Sequence, residues 1–215
     1  MDEAMLIIGW TGGICAGKTT ALACLAEIVP LRILDADALG HRLLEEPEVV
    51  DAVVGLLGPG VRDASGKLDR RTIGARVFAD PELLERYNAL IHPRLVGRIA
   101  TAVAEARCEP AGVKRAFVVD AALIYEWELA VLFDAVVVVR AEPELVRRRL
   151  SERGLDAARI RLRLAAQLDP AEKARRADFV IENDDDLTAL RRRVELLWNT
   201  ELARMSEIHA GERAE

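Results

Sequence analysis

Residues 12 to 19 combine glycines, a lysine and a threonine at a spacing that suits phosphate binding. Gly12, Gly17, Lys18 and Thr19 occupy the fixed positions of the pattern G-x-x-x-x-G-K-[ST]. The glycines let backbone N–H groups curl around a phosphate, the lysine reaches the β- and γ-phosphates of a nucleotide, and the threonine hydroxyl ligates Mg²⁺. The segment therefore predicts a phosphate loop that binds a nucleotide with its metal ion.

The flanking sequence places this loop between a strand and a helix. An apolar run from Met5 precedes it and an Ala/Leu-rich segment ending at Ile28 follows, so the helix adds its positive dipole end. Tight packing and a dinucleotide fold are the alternatives, but G-x-G-x-x-G cannot be read through these glycines. The residues predicted to contact ATP here are Gly12, Gly13, Ile14, Cys15, Ala16, Gly17, Lys18, Thr19 and Thr20, with Thr19 also the metal ligand.

Acidic residues follow two of the predicted strands. The strand Leu31–Asp35 leads into Asp37, and the carboxyl ends of parallel strands line the ligand crevice of such sheets. Asp35 is at least as well explained as the cap of the next helix. Asp120 ends another apolar strand in the form of a metal-binding Walker-B acid, although many strands end this way.

The elements around these residues predict an α/β fold. Five near-continuously apolar strands alternate with helices, which indicates a parallel sheet covered on both faces. Residues 38–107 contain no convincing strand and predict an inserted helical substrate region, in which His92 before Pro93 could end or kink a helix. The segment from Leu187 predicts an amphipathic packing helix, and the polar residues from Glu207 predict a frayed tail.

Composition and charge limit the possible functions. The chain has 215 residues, of which 51% are hydrophobic, and this suits one well-buried domain. A net charge of -6 argues against general nucleic-acid binding, yet residues 140–176 hold eleven basic and six acidic residues, which suggests a local polyanion. The three cysteines show no paired pattern, the first residues are acidic, and no apolar run is long enough to span a membrane. These features predict a soluble, cytoplasmic protein with no membrane partner.

These motifs, in this order, resemble those of the dephospho-coenzyme A kinase family from about Met5 to Leu197. The first matching pieces are Gly9-Trp-Thr-Gly-Gly-Ile with Gly17-Lys18-Thr19, Asp35-Ala-Asp37, Leu68-Asp-Arg70, Val77-Phe78 and His92-Pro93. The later ones are Leu123-Ile-Tyr-Glu126, Phe133-Asp134, Arg149-Leu-Ser-Glu-Arg153, Arg163-Leu-Ala-Ala-Gln167, and Lys173 through Ala177-Asp178 to Asn183. Any one piece would be weak, but their shared order and spacing are specific.

The resemblance implies an enzyme that transfers the ATP γ-phosphoryl group to the ribose 3′-hydroxyl of dephospho-coenzyme A, with Mg²⁺. It further implies a P-loop NTPase fold like that of nucleotide monophosphate kinases, in a single kinase domain over 1–207. The expected parts are a core of 1–37, 113–140 and 177–207, a helical acceptor-binding region of 38–112, a lid of 141–176 and a polar tail of 208–215. The expected partners are ATP and dephospho-coenzyme A, with no nucleic acid, and the expected state is a monomer or weak homo-oligomer.

The same resemblance implies roles for individual residues. The catalytic group would comprise Asp37 as the base, Lys18, and the lid residues Arg149 and Arg153. Arg140 and Asn183 would lie near ATP. The acceptor pocket would include Thr11, Asp37, His92, Leu123 and Glu126.

The chain departs from the family pattern at four positions. Cys15 and Ala16 stand where a glycine and a serine are usual, Ala122 replaces a proline, and Asp184 replaces a glycine. Two alternatives remain: a kinase of the same fold with another nucleotide or sugar acceptor, and a nucleotide-dependent switch or ATPase. Against the switch, Asn183–Asp186 lacks the lysine of a guanine-reading N-K-x-D pattern, and Ala121 follows Asp120 where many ATPases place a glutamate.

Overall fold

A five-stranded parallel sheet forms the centre of the computed structural model, which describes residues 5–109, 115–152 and 167–212. The strands lie in the order β2-β3-β1-β4-β5. They are β1 (Leu6–Gly12), β2 (Leu31–Asp35), β3 (Ala116–Asp120), β4 (Ala135–Arg140) and β5 (Phe179–Glu182). The predicted α/β class is confirmed.

Nine α-helices occur in the described parts of the chain. They are α1 (Lys18–Ile28), α2 (Ala36–Leu43), α3 (Pro47–Leu57), α4 (Arg70–Val77), α5 (Pro81–Cys108), α6 (Pro143–Glu152), α7 (Pro170–Arg176), α8 (Leu187–Leu197) and α9 (Ala203–Glu212). Short 3₁₀ turns occupy Pro59–Val61 and Leu129–Leu132. Among these helices, none combines the length and apolar character that crossing a lipid bilayer requires.

The central strand explains why the sheet is parallel and fully covered. Every residue of β1 is buried, and its neighbours β3 and β4 are apolar runs that pair with it in parallel. Strands buried on both faces read as continuous apolar segments, which is how they stand in the sequence. One core around the sheet includes Leu6, Ile8, Trp10, Leu22, Leu25, Val118, Val137, Val139, Ile181, Leu190, Val194 and Trp198.

Two aspartates extend the sheet at the amino ends of its strands. The Asp134 N–H donates to the Ile7 carbonyl at 2.8 Å, and the Ile7 N–H donates to the Asp134 carboxylate at 2.8 Å. Asp178 makes the same pair of bonds with Val136, at 3.1 and 2.7 Å. The apolar pattern predicts strands over 133–140 and 177–182. Because a side chain replaces a backbone carbonyl at these points, β4 and β5 begin two residues later than predicted.

Residues up to Leu34 and from Ala102 form one compact unit, and Asp35–Thr101 form a second. The second unit is helical, as expected for the region between β2 and β3. Its buried side chains include Leu43, Val49, Val53, Leu57, Val61, Ile73, Val77, Ile91, Leu95 and Ile99. His92 before Pro93 was predicted to end or kink a helix, and the first of these alternatives is wrong because α5 continues through Pro93. An internal proline removes one hydrogen bond and crowds the preceding turn. The buried side chains Ile91, Leu95 and Ile99 pack the helix on both sides of it.

The C-terminal helix packs as predicted. Four apolar side chains at intervals of four residues are buried against the sheet core, namely Leu190, Val194, Trp198 and Leu202. In an α-helix such an interval drifts by about 40° at each step. A wider π-helical turn at Trp198–Leu202 offsets this drift and keeps the side chains on one face. The backbone stays helical to Glu212, so the tail expected from Glu207 is ordered further than its polarity suggested.

Asp35 generates a prediction about stability. Its carboxylate accepts a hydrogen bond from the Ala38 N–H at 3.0 Å, which confirms its role as the cap of α2. We expect Asp35→Ala to lower the free energy of unfolding by about 1 kcal/mol, because an N–H of the first turn loses its partner. Urea denaturation measures this change. Asp35→Asn, which keeps an oxygen acceptor, should be close to wild type, and equal losses in both variants would contradict the capping role.

Candidate functional site

The phosphate loop joins the end of β1 to the start of α1. Gly17 has a φ of 94° and is the N-cap of α1. A side chain at Gly17 would place its Cβ 2.0 Å from the Asn183 Nδ2, and one at Gly12 would lie 2.4 Å from the Val139 carbonyl oxygen. Gly12 is therefore required by its close contact to β4, and Gly17 is required both by its contact to the Asn183 side chain and by its backbone angle.

Asn183, just beyond β5, holds this loop in place. Its Nδ2 donates to the Ala16 carbonyl at 2.8 Å, and its own N–H donates to the Arg140 carbonyl at 2.8 Å. Arg140 forms an ion pair with Glu182 at 2.7 Å, and this hydrogen-bonded carboxylate raises the pKa of the guanidinium. Two residues expected near ATP thus lie at the ends of adjacent strands, and one of them directly contacts the phosphate loop.

Lys18 forms an ion pair with Asp120 at the end of β3. Both side chains are largely buried, with 18% and 13% of their surface exposed. The Trp10 Nε1 donates to the Lys18 carbonyl at 3.1 Å, which fixes the first turn of α1. The residues predicted for the site do not include Asp120, because an acid at the end of an apolar strand is a weak signal by itself. The pairing of its strand with β1 is the feature that brings it to Lys18.

Arg149 of α6 contacts the same loop from the other side. Its two terminal nitrogens donate to the Cys15 carbonyl at 3.2 Å and to the Asn183 carbonyl at 3.1 Å. A cavity of about 380 Å³ adjoins these groups and is lined by Cys15, Gly17, Thr20, Arg149, Glu152, Asn183, Asp185, Leu187 and Leu190. Arg153, the second predicted lid arginine, lies outside the described residues, as does Arg163 of the matching motif.

Comparisons with known proteins agree with this geometry. A family model described as dephospho-CoA kinase matches residues 6–189. The dephospho-CoA kinase of Anaeromyxobacter dehalogenans is 45% identical over 183 residues, which cover 83% of this chain and 84% of that protein. The dephospho-CoA kinase of Chlorobaculum tepidum is 40% identical over 91% of this chain and 94% of that protein. The chain belongs to the dephospho-CoA kinase family.

Solved structures support the same fold. The crystal structure of TT1252 from Thermus thermophilus superposes with a TM-score of 0.74 at 28% identity, covering 93% of this chain and 99% of that one. The dephospho-CoA kinase from Campylobacter jejuni superposes with a TM-score of 0.63 at 22% identity, covering 94% and 98% of the two chains. Membership in the dephospho-CoA kinase family confirms the prediction of an ATP-dependent kinase with a P-loop fold.

The structure shows the local contacts of two departures from the family pattern, Cys15 and Asp184. Cys15 adopts a φ of 55°, a conformation that a glycine would reach more easily. Asp184 accepts a hydrogen bond from the Glu142 N–H at 2.6 Å, and Asp186 caps α8 through the Ala189 N–H at 2.8 Å. The acidic run therefore ties the ends of β4 and β5 together where the family usually has a glycine.

The acceptor residues predicted in the sheet unit lie on β1 and in the segment Ala121–Glu128 after β3, which we call the acceptor loop. Thr11 is fully buried, and its hydroxyl donates to the Ala122 carbonyl at 3.2 Å. Glu126 is largely buried and forms an ion pair with Lys173 at 2.8 Å. Leu123 is partly buried. Thr11 is thus oriented toward the protein, and we expect any effect on the acceptor to act through Ala122.

The helical unit holds the other two predicted acceptor residues. Asp37 is exposed in the first turn of α2, two residues beyond the capping Asp35. His92 is partly buried in the middle of α5, and this burial lowers the pKa of its imidazole. An exposed carboxylate at a helix start is free to meet a ligand, so Asp37 remains the candidate base.

The loop geometry predicts that Gly17 cannot carry a side chain. Gly17→Ala combines a left-handed backbone angle with a close contact to Asn183, so we expect the loop to shift and ATP affinity to fall by about tenfold or more. Isothermal titration with a non-hydrolysable ATP analogue measures this. Gly13→Ala is the matched control, because its Cβ would lie 3.5 Å from Pro170, an ordinary contact. Comparable binding by both variants would refute the stated constraint.

Proposed function

We propose that this chain transfers the γ-phosphoryl group of ATP to the ribose 3′-hydroxyl of dephospho-coenzyme A. Family membership carries this proposal, since the relatives at 45% and 40% identity that bear the name span most of their own length in the match. The phosphate loop held by Asn183 and Arg149 supports the ATP side of the reaction. The exposed Asp37 at the start of α2 supports the acceptor side.

Binding of the phosphates would rest on Lys18 and the loop N–H groups. The Lys18 ammonium is paired with Asp120, which holds the cation between the phosphate loop and the end of β3. A bound triphosphate would share this ammonium with Asp120. Phosphoryl transfer asks the protein mainly for positioning and charge stabilisation, which these groups can supply.

Mg²⁺ fits the residues present at the loop. Nucleotide-bound Mg²⁺ keeps several waters and needs only one or two protein ligands besides the phosphates. The exposed Thr19 hydroxyl in the first turn of α1 and the Asp120 carboxylate are suitable oxygen donors. The described residues contain no group of three His, Cys, Asp or Glu side chains that could hold a metal alone. When bound with ATP, the ion would neutralise charge on the phosphate oxygens.

Arg149 would act on the ATP side of the site. Its guanidinium donates to the Cys15 and Asn183 carbonyls, so it contributes to the shape of the site. Arg153 keeps its predicted role in meeting the transferred phosphoryl group.

A direct assay tests the proposed reaction. The protein is incubated with ATP, Mg²⁺ and dephospho-coenzyme A, and mass spectrometry follows the appearance of coenzyme A. Lys18→Ala should abolish product, because the phosphates lose their ammonium, and it should also lower the melting temperature, because the largely buried Asp120 carboxylate loses its cation. Release of ADP without coenzyme A would favour an ATPase, and phosphorylation of a different alcohol in a nucleotide and sugar panel would favour another acceptor.

A second prediction concerns the candidate base. A ribose hydroxyl is a poor nucleophile, so a carboxylate that accepts its proton should accelerate transfer by roughly 10²–10⁴. We expect Asp37→Asn to lower kcat by this factor with little change in the KM for ATP. Asp35→Asn is the matched control, because Asn still caps α2 and kcat should stay near wild type. A larger loss of kcat in the Asp35 variant would reassign the base.

A further inference from the structure

A fully buried ammonium lies beside the acceptor loop and has no part in the reaction described so far. Lys173 of α7 has 0% of its side chain exposed, and lysine is almost never buried so deeply without a partner. Its Nζ donates to the Ala122 carbonyl at 2.6 Å and pairs with the Glu126 Oε1 at 2.8 Å. Both partners belong to the acceptor loop, so one side chain fixes two points of that loop.

The same glutamate oxygen also binds the backbone ahead of α7. The Leu168 N–H donates to the Glu126 Oε1 at 2.7 Å, and Asp169 caps α7 through the Ala171 N–H at 2.8 Å. The segment Leu168–Lys173 is therefore attached to the acceptor loop at both of its ends. Any displacement of α7 would be transmitted to Glu126.

The Ala122 carbonyl connects this cluster to the phosphate loop. It accepts the Lys173 ammonium at 2.6 Å and the Thr11 hydroxyl at 3.2 Å. Thr11 directly precedes Gly12, the first residue of the phosphate loop. Ala122 lacks the ring that would restrict a proline at this position, so in this chain hydrogen bonds from two side chains set the direction of its carbonyl.

One oxygen of Glu126 is left for a further partner. Oε1 carries the contacts to Lys173 and Leu168, whereas Oε2 is buried and has no hydrogen-bond partner in the described part of the chain. A buried acceptor without a donor costs free energy, and such groups are usually satisfied by a ligand or by water. A donor on a bound substrate, such as a hydroxyl or an amide N–H, would satisfy it.

We propose that Lys173 is a positioning residue for the phosphoryl acceptor. It orients the Glu126 carboxylate through Oε1, so that Oε2 receives a hydrogen bond from the acceptor molecule, and it fixes the Ala122 carbonyl. The inference rests on the proposed function, because it requires a small-molecule acceptor that contacts the loop after β3. Lys173 is thus expected to affect kcat/KM for the acceptor and to leave the KM for ATP unchanged.

The test separates this effect from general stability. Lys173→Met alone leaves the Glu126 carboxylate buried without its cation and is expected to destabilise the fold. Glu126→Gln alone likewise leaves the buried Lys173 ammonium without its anion, whereas the double variant Lys173→Met with Glu126→Gln removes both charges at similar volume. The two single variants and the double variant therefore form a double-mutant cycle with wild type, and all are assayed below their melting temperatures. Steady-state kinetics are measured with each substrate varied in turn, together with melting temperatures.

We expect kcat/KM for dephospho-coenzyme A to be about tenfold lower in Lys173→Met than in wild type, the equivalent of one lost hydrogen bond to a charged group. The double variant should be close to Glu126→Gln, because Lys173 acts mainly through Glu126. The KM for ATP should stay within twofold of wild type in all three variants. Thr11→Val, which removes the other donor to Ala122, should shift acceptor kinetics in the same direction by a smaller factor. Asp134→Asn is the control for lost stability. It perturbs the amino ends of the strands, away from the phosphate loop, and should leave the ratio of the two KM values unchanged.

Three outcomes would overturn the inference. Wild-type acceptor kinetics in Lys173→Met would limit Lys173 to a structural role, and a parallel rise in the KM for ATP would indicate general damage to the site. If the wild-type protein forms no coenzyme A, the proposed function fails and this inference fails with it. If wild type is active and only the variant pattern is absent, the proposed function stands and the positioning role is rejected.

Discussion

The hydrogen bonds that occupy the carbonyl groups of the phosphate loop are the interactions on which the candidate site depends. Arg149 binds the Cys15 carbonyl, Asn183 binds the Ala16 carbonyl and the Trp10 indole binds the Lys18 carbonyl. A site for an anion must present hydrogen-bond donors such as backbone N–H groups. The C=O and N–H of one peptide unit point in opposite directions, so a carbonyl that is bound by the protein leaves its N–H directed toward the anion site. Contacts from β1, β5 and α6 thus determine the polarity of the loop, and the glycines permit the geometry that these contacts impose.

The register of the sheet explains why these contacts converge. The carboxyl ends of β1, β3, β4 and β5 lie side by side. The register pairs that show this are Trp10 with Asp120, Gly12 with Val139, and Arg140 with Glu182. Three of these strands carry a functional side chain at this end: Asp120 is the last residue of β3, Arg140 is the last residue of β4, and Asn183 directly follows β5. Parallel pairing is required, since in an antiparallel neighbour the corresponding residue would lie at the opposite edge of the sheet.

Local sequence patterns were sufficient to predict the fold and the phosphate loop. They did not predict contacts between residues that are distant in the sequence. The strand and helix order, the capping role of Asp35 and the nucleotide motif all depend on residues within one or two turns. The Lys18–Asp120 pair joins residues 102 positions apart, and nothing at Lys173 in the sequence distinguishes a buried lysine from the exposed basic residues around it. The possible helix end before Pro93 is wrong for the same reason, because buried side chains on both sides of the proline keep α5 continuous.

Cys15 shows how such long-range contacts permit an unusual loop sequence. A non-glycine residue in the left-handed region costs about 1–2 kcal/mol, and such conformations persist where the surroundings over-determine them. Cys15 has a φ of 55° and its carbonyl is bound by Arg149, while the next carbonyl is bound by Asn183. These two hydrogen bonds can offset the strain, so the loop keeps its shape without the usual glycine. The consequence is a partly exposed thiol on the wall of the cavity beside the phosphate loop, where a glycine would leave only backbone.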